Sequence, residues 1–194
     1  FATSAPLVAA QVTITGGVGN VTPVITSVTV GSSFNPTSGT TTSIPITAVI
    51  TDANGCNDVN TGSASVTASI IKPDGSTVHV AASAATYGSC ATGGIAATFT
   101  KTLTMNFYDA SATGGSTYKV KIVATDQAGA TINNIASFTT FSYTSLVAMS
   151  APSTFSFGSS VSPGVATAAG VGIAVTNAGN SQIDTQVSST ALTL

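Results

Sequence analysis

Residues 118–131, YKVKIVATDQAGAT, carry the strongest structural signal in this chain. Apolar side chains occupy every second position, which is the period of an extended strand with one buried face. The predicted buried face consists of Tyr118, Val120, Ile122 and Ala124, and Lys119 and Lys121 lie on the opposite face. The segment Asp126–Gly129 then has the composition of a tight turn. The stretch therefore predicts a half-buried β-strand that ends in a turn.

The same alternation recurs on both sides of this strand. Further predicted inward faces are Val24, Thr26, Val28 and Val30; Ile44, Ile46, Ala48 and Ile50; Ala64, Val66, Ala68 and Ile70; and Phe99, Leu103, Met105 and Phe107, interrupted by Lys101. Shorter strands are predicted over Thr77–Ala81 and Ser137–Tyr143, and turn sequences such as Pro73–Gly75 separate the elements. About seven short strands at near-regular spacing predict an all-β fold, an antiparallel β-sandwich.

The composition favours strands and argues against several kinds of partner. Hydrophobic residues make up 43% of the chain and charged residues 5%, against roughly 25% charged residues in an average domain. Arg, Glu and Trp are absent from the sequence, and Thr, Ser, Val and Gly dominate it. Four lysines cannot neutralise a run of phosphates, so we expect no nucleic-acid partner. We also expect no membrane span, because no apolar stretch is long enough, and a surface so poor in charge favours contacts between copies.

Cys56 and Cys90 are the only cysteines, and they lack the CxxC spacing of a redox or metal site. We predict that they form a structural disulfide, which stabilises a loop of this length by about 4 kcal/mol in the chain-entropy model. Disulfides persist in oxidising compartments. A sequence that opens on Phe1 rather than Met further predicts that an export signal has been removed. We therefore expect an extracellular protein at the cell surface.

Three segments resemble the prokaryotic Ig-like modules of cell-surface proteins. They are VITDANGCNDV (49–59), IIKPDGS (70–76) and the stretch quoted first. In those modules a strand ends in Asp-x-x-Gly, and the penultimate strand runs Tyr-x-Val-x-Val into a Thr-Asp-x-x-Gly turn. The likeness covers residues 22–142 and implies an Ig-like antiparallel β-sandwich, which we assign to residues 21–142. It implies no activity.

The segment that follows residue 142 resembles a second recurrent surface module. Its mark is a Phe-Gly-x-Val-x-Pro-Gly stretch and then a strand that ends in Val-Thr-Asn-x-Gly-Asn. The matching positions are Phe157, Gly158, Val161, Pro163, Gly164, Val175, Thr176, Asn177, Gly179 and Asn180, with one extra residue between Gly158 and Val161. Such modules normally continue with more strands, so the resemblance implies that residues 143–194 form an incomplete second β module.

The N-terminal residues 1–20 are predicted to form an arm and a hinge. Leu7–Thr15, LVAAQVTIT, alternates like a strand, and Gly16–Asn20 is a Gly-rich flexible connector. One face of this predicted strand consists of Val8, Ala10, Val12 and Ile14. Three interpretations remain open: the strand pairs within its own domain, it pairs with another subunit, or the arm does neither.

An incomplete module and a detachable strand together predict donor-strand complementation, in which each subunit supplies the strand that the next one lacks. The arrangement is similar to archaeal surface fibres, the threads and bundling pili, and this resemblance implies a helical homopolymer of identical subunits. The predicted function is a structural subunit of an extracellular filament. Alternatives are a surface adhesin or carbohydrate-binding Ig-like module, or a component of a surface layer or sheath.

Signals of catalysis are weak, and we predict that the protein is not an enzyme. The only histidine, His79, lies mid-strand between Val78 and Val80, where a structural role is expected. The sequence has no GxSxG, no HExxH and no glycine-rich phosphate loop. The six acidic residues are all Asp and fall mostly in turns, where Asp caps backbone N–H groups.

Three further groups of residues are candidate binding or modification sites. Asp52, Asn54 and Asp58 surround the Gly55 turn and could offer oxygens to Ca²⁺. The Glu and the full spacing of an EF-hand are absent, so turn capping is the favoured role of these residues and no cofactor is expected. Asn20-Val21-Thr22 is the one acceptor sequence for an N-linked glycan. The aromatic residues of Phe138–Tyr143, with Phe155 and Phe157, suit either a sugar-binding platform or the core, and their strand spacing favours the core.

Overall fold

The structure, a computed structural model, describes residues 19–62, 65–91, 93–154 and 172–186. Its strands are β1 (Val24–Val30), β2 (Ser33–Phe34), β3 (Thr41–Thr51), β4 (Ser65–Ile71), β5 (Val78–Ala84), β6 (Thr86–Cys90), β7 (Ala96–Asn106), β8 (Tyr118–Thr125), β9 (Thr131–Asn133), β10 (Thr139–Tyr143), β11 (Met149–Ser150) and β12 (Thr176–Asn177). A 3₁₀ helix covers Cys56–Val59. The predicted donor-strand residues Val8, Ala10, Val12 and Ile14 lie outside the described residues, as do Phe155 and Phe157.

Two sheets pack face to face. One has the strand order β1-β3-β7-β6, and the other has the order β2-β10-β8-β4-β5, with β9 paired to β8. Neighbouring strands are antiparallel except for β2 and β10, which run parallel. This is the ABED and GFC arrangement of immunoglobulin-type sandwiches, extended by one strand at each edge of the second sheet. The prediction of an all-β, Ig-like sandwich is confirmed.

The core forms because the long strands alternate as predicted. Strands β3 and β7 pair without interruption from Thr41 opposite Asn106 to Thr51 opposite Ala96. Their inner faces are buried, and so are the predicted faces of β4 and β8. Fully buried members of the core include Ile44, Ile50, Ile70, Met105, Tyr118, Val120 and Ile122. Lys119 and Lys121 remain on the outer face, where Lys119 donates a hydrogen bond to the carbonyl of Pro73.

The predicted inner face of β1 is wrong in its first half. A β-bulge between Ile25 and Ser27 shifts the register against β3, so Val24 is exposed. Ile25 packs against the core in its place, together with Val28 and Val30. A bulge adds one residue to one strand and thereby exchanges its two faces.

A whole strand, β6, escapes the sequence analysis. The strand predicted over Thr77–Ala81 corresponds to β5, which extends further, to Ala84. After β5 the chain crosses to the other sheet and forms β6. Residues 86–90 (TYGSC) carry small or polar side chains apart from Tyr87, and another bulge follows Tyr87, so they show no apolar period. At Gly88 a Cβ would lie 3.3 Å from the carbonyl oxygen of Thr98, so the close approach of β7 favours glycine.

Tyr118 fastens the start of β8 to the preceding loop. Its hydroxyl donates a 2.9 Å hydrogen bond to the carbonyl of Ala110, the arrangement called a tyrosine corner in immunoglobulin-type sandwiches. Its ring stacks on Phe141 and meets Tyr143 edge-on. Burial, and then the negative charge of Asp109, raise the pKa of Tyr118 to about 12.

The disulfide joins two loops at one end of the sandwich. Cys56 begins the 3₁₀ helix after β3, Cys90 ends β6, and their Cα atoms are 6.2 Å apart. Backbone hydrogen bonds run in parallel with it, from Cys56 to the carbonyl of Gly94 and from Asp52 to the carbonyl of Ile95. The bridge therefore ties the turn after β3 to the loop before β7. Because β3 and β8 run in the same direction, β8 ends at this same end, which we call the loop pole.

At the pole opposite the loop pole, the chain continues from β10 into the last part that the structure describes. Strand β10 ends at Tyr143 beside β2, and the amide of Thr144 donates to the carbonyl of Phe34. Beyond it β11 pairs with β12 as a two-stranded ribbon, which we call the terminal ribbon. Asn180 attaches this ribbon to the sandwich: its Nδ2 donates to the carbonyl of Thr144, and its Oδ1 accepts from the amide of Leu146.

Replacing Tyr118 by Phe is expected to lower the free energy of unfolding by about 1 kcal/mol, because the buried Tyr118 side chain loses its part-buried hydrogen bond to the carbonyl of Ala110. The exposed Tyr108 supplies the matched control, and Tyr108→Phe should have little effect. Urea denaturation followed by circular dichroism measures both. Because the folded pKa of Tyr118 is above the unfolded value of 10.0, its contribution to stability is complete below pH 10 and is lost as pH rises through about 12. An equal loss in the two variants would contradict the role of the corner.

Replacing both Cys56 and Cys90 by Ala is expected to destabilise the fold by about 4 kcal/mol, because the unfolded chain regains the freedom of the closed loop. Urea denaturation with and without a reductant tests this. The reductant should destabilise the natural chain and leave the double variant unchanged. A natural chain that is equally stable in reductant would show that the bridge contributes nothing.

Candidate functional site

Three aspartates meet at the loop pole. Asp52 follows β3, Asp58 lies in the 3₁₀ helix and Asp126 follows β8. One carboxylate oxygen of each lies within 4.8 Å of those of the other two. Asp52 and Asp126 are buried, and Asp58 is half-buried. We call these three residues the acidic cluster.

Two turns of the same kind position Asp52 and Asp126. Each aspartate begins an Asp-x-x-Gly turn whose glycine has a positive φ, 109° at Gly55 and 89° at Gly129. The glycine amides donate back to the aspartate carbonyls, at 3.0 Å in the first turn and 3.2 Å in the second. Since β3 and β8 end at the same pole, the two turns bring their carboxylates together.

Gln127 holds the second turn against the 3₁₀ helix. Its backbone amide donates a 3.0 Å hydrogen bond to the carbonyl of Asp58. Its side-chain amide donates to the carbonyl of Asn57 and to the hydroxyl of Thr61. These contacts fix the position of Asp58 relative to its neighbour Asp126.

Asp52 has an oxygen that the protein does not satisfy. Its Oδ1 accepts a 2.8 Å hydrogen bond from the amide of Asn54, whereas its Oδ2 is buried and has no donor among the described residues. The side chain is 1% exposed. Burial raises the pKa of Asp52, and the charges of Asp58 and Asp126 raise it further, although the Asn54 amide opposes them. Unpaired buried oxygens of this kind are rare in proteins.

Asp126 is the better satisfied partner. Its Oδ2 accepts from the side-chain amide of Asn20 at 2.9 Å, and its Oδ1 accepts from the backbone amide of Ala130 at 2.8 Å. The hydrogen bond from Asn20, and then those from the turn amides, lower the pKa of Asp126. The acidic cluster therefore combines an aspartate that is stabilised as the anion with one that resists ionisation.

The predicted oxygen set Asp52, Asn54 and Asp58 is only partly brought together. The side chain of Asn54 is used by the hinge instead: its Oδ1 accepts from the amide of Val21 at 2.7 Å, and its Nδ2 donates to the carbonyl of Gly19 at 3.2 Å. Asp126, rather than Asn54, supplies the third side chain beside Asp52 and Asp58. Sequence analysis missed it, although the second Asp-x-x-Gly turn was a usable signal.

The end of the Gly-rich connector is attached to the loop pole. Gly19 and Val21 bind Asn54, and Asn20 binds Asp126, so this part differs from the flexible connector expected from composition. We call Gly19–Val21 the arm root. Asn20 is exposed. An N-linked glycan would leave one hydrogen on the same nitrogen, so the bond to Asp126 is compatible with the predicted glycosylation.

The terminal ribbon exposes an apolar face. Met149 pairs with Asn177, and backbone hydrogen bonds from Ala178 to Ala148 and from Asn180 to Leu146 continue that register, so Val147 and Met149 lie on the same side of the ribbon. Val147 and Met149 are 71% and 58% exposed, and Ile173 and Val175, which precede β12, are each 41% exposed. At Gly179 a Cβ would collide with the carbonyl oxygen of Leu146, so the close approach of the two segments requires glycine.

The remaining candidates, His79 and the aromatic residues of Phe138–Tyr143, contact other side chains of the sandwich. His79 Nε2 lies 3.1 Å from Asp109 Oδ2, and the His79 ring packs against Tyr118. Phe141 and Tyr143 belong to the core, which confirms the expectation for that part of the aromatic cluster. In the described part of the chain, Tyr108 is the only aromatic residue that is largely exposed.

Comparison with protein-family models, with curated proteins and with solved structures finds no match to this chain. Within the residues that the structure describes, no helix has the length and hydrophobicity needed to cross a bilayer. The strand order and the contacts described above are therefore the basis for assigning a function.

Replacing Asp52 by Asn should stabilise the protein at neutral pH in the presence of a chelator. The pKa of Asp52 is raised in the fold, so its contribution is favourable below the unfolded value of 3.8 and is lost as pH rises through the folded pKa. An uncharged amide avoids that loss and keeps the oxygen that accepts from Asn54. Thermal unfolding at pH 7 measures the change, with the exposed Asp184→Asn as the control. A less stable Asp52→Asn variant at pH 7 would contradict the assignment.

Proposed function

We propose that this protein is the structural subunit of an extracellular, pilus-like or thread-like filament. In this proposal residues 7–15 of one subunit pair with the terminal ribbon of the next, and the repeated contact builds a helical homopolymer. The role is mechanical rather than enzymatic. The observation that carries the proposal is the exposed apolar face of the terminal ribbon.

A two-stranded ribbon is marginal in water and needs further strands or a packed face to be stable. The terminal ribbon has only two paired residues in each strand, and Val147 and Met149 on its apolar face are more than half exposed. Among the described residues the ribbon has neither a third strand nor a packed apolar face, and a donated strand would supply both. The alternating segment Leu7–Thr15 offers a complementary apolar face, with Val8, Val12 and Ile14 on it.

The positions of the two ends favour a contact between subunits. The arm root binds Asn54 and Asp126 at the loop pole, whereas the terminal ribbon continues from the opposite pole. Donation from one pole to the other is head-to-tail. A head-to-tail contact that does not close into a ring propagates as a filament.

The reach of the arm argues against pairing with its own ribbon. Asp126 follows β8, whose first residue lies opposite Phe141, and eight steps of a strand span roughly 26 Å. Thr15 is five residues from Asn20 and reaches at most about 18 Å from it. At full extension, the half of the predicted strand that is nearest the hinge therefore falls short of the pole from which the ribbon of its own subunit continues.

The energies are sufficient for a lasting contact. Burial of Val8, Val12 and Ile14 contributes about 4–8 kcal/mol, and each backbone hydrogen bond adds about 1 kcal/mol net. Ordering of the arm offsets part of this gain. The disulfide between Cys56 and Cys90 is consistent with the proposed location outside the cell.

The structure offers less to the alternative of an adhesin or carbohydrate-binding module. Sugar recognition of that kind commonly uses exposed aromatic side chains, and among the described residues Tyr108 stands alone. The one His-Asp pair, His79 with Asp109, is largely buried under Tyr118. These surroundings favour a structural subunit.

Deletion of residues 1–15 should abolish filaments, because each subunit then lacks the strand that the next one needs. Negative-stain electron microscopy and sedimentation measure the outcome. A synthetic peptide of residues 7–15 should bind the truncated protein and raise its melting temperature. Filaments that persist after the deletion would refute the proposal.

A matched pair of substitutions tests the direction of the strand's apolar face. Val12→Asp places a charge on the face predicted to be buried, and Thr13→Asp places the same charge on the opposite face. We expect the first variant to lose polymerisation and the second to retain it. Equal behaviour of the two variants would show that residues 7–15 are not donated as a strand with this face inward.

A further inference from the structure

We propose that the acidic cluster of Asp52, Asp58 and Asp126 is a binding site for a divalent cation of the calcium class, and that the bound ion fastens the arm root. Three carboxylates brought together from two segments of the chain, one with Asp52 and Asp58 and the other with Asp126, are the first observation. The second is independent of their number: Asp52, which is itself a member of the cluster, has a buried Oδ2 with no donor among the described residues.

The oxygens suit calcium. Ca²⁺ takes six to eight oxygen ligands in flexible geometry, and three carboxylates offer up to six oxygens, with water completing the shell. Mg²⁺ demands a stricter octahedron and gives up its water reluctantly. Zn²⁺ prefers nitrogen and sulfur ligands, and within the described residues the cluster contains only carboxylates.

The ligands are already oriented by hydrogen bonds. The amide of Asn54 holds Asp52 Oδ1, and the amide of Ala130 holds Asp126 Oδ1. Gln127 fixes the backbone of Asp58. Partners that orient ligating carboxylates in this way strengthen metal binding, because less order must be imposed when the ion arrives.

The site is continuous with the arm root. Asn20 donates to Asp126, and Asn54, whose amide donates to Asp52 Oδ1, also binds the backbone of Gly19 and Val21 through its side chain. A cation that fixes Asp52 and Asp126 therefore fixes the arm root. The consequence for filament assembly rests on the proposed function, whereas ion binding itself does not.

Equilibrium dialysis of the full-length protein against ⁴⁵Ca²⁺ tests the site directly. We expect saturable binding of one ion per chain, with Asp58→Asn and Asp126→Asn each weakening binding at least tenfold and Asp184→Asn leaving it unchanged. Saturating Ca²⁺ should also raise the melting temperature of the natural chain. Asp52→Asn should have opposite effects on stability in the two conditions. The variant should be more stable than the natural chain in chelator and less stable than the natural chain in saturating Ca²⁺.

Proteolysis tests the connection to the arm root. Cleavage by elastase beside Val21, followed by mass spectrometry, should be slowed by Ca²⁺ in the natural chain and in Asp184→Asn but not in Asp126→Asn. Unsaturable or absent binding up to about 10 mM Ca²⁺, which is well above the dissociation constants of about 0.1–1 mM of extracellular sites, would overturn the proposal. So would binding that Asp58→Asn and Asp126→Asn leave unchanged. Ion binding by a chain that forms no filaments would refute the filament and leave the ion site standing.

Discussion

The continuous ladder between β3 and β7 is the constraint on which the rest of the fold depends. Its uninterrupted register, from Thr41 opposite Asn106 to Thr51 opposite Ala96, places the inner faces of both strands side by side. The second sheet can bury its own apolar faces only by packing against this surface. The register also decides where β3 ends, and hence that Asp52 and the 3₁₀ helix lie beside the end of β8.

A chain with so few charges must be held together by other polar groups. Hydroxyl pairs such as Thr125 with Thr131 join strands, and aspartates cap turns, as Asp74 does with the amides of Ser76 and Thr77. A hydrogen bond from the Thr77 side chain, and then those from the two amides, lower the pKa of Asp74 far below its usual value. Against this background, three carboxylates collected at one pole are an unusual concentration of charge, and an ion is the simplest compensation for it.

Alternation along single strands made most of the sandwich predictable, because burial of one face imposes a period of two on the sequence. It failed where the period is interrupted: the bulge after Ile25 exchanged the faces of β1, and the small residues around Gly88 concealed β6. The acidic cluster could be predicted only in part. Asp52 and Asp58 are close in sequence, whereas Asp126 joins them through the common direction of β3 and β8, which is a property of the topology.

The parallel pairing of β2 with β10 has a mechanical consequence. A pull on the arm root and a pull on the segment after Tyr143 act toward opposite poles, roughly along these two strands. The hydrogen bonds that link them, from Ser142 to Ser32 and from Thr144 to Phe34, cross the direction of tension. Under such loading they must shear together rather than open one after another. A subunit pulled at its two ends would thus resist extension through the pairing of the edge strand β2 with its neighbour β10.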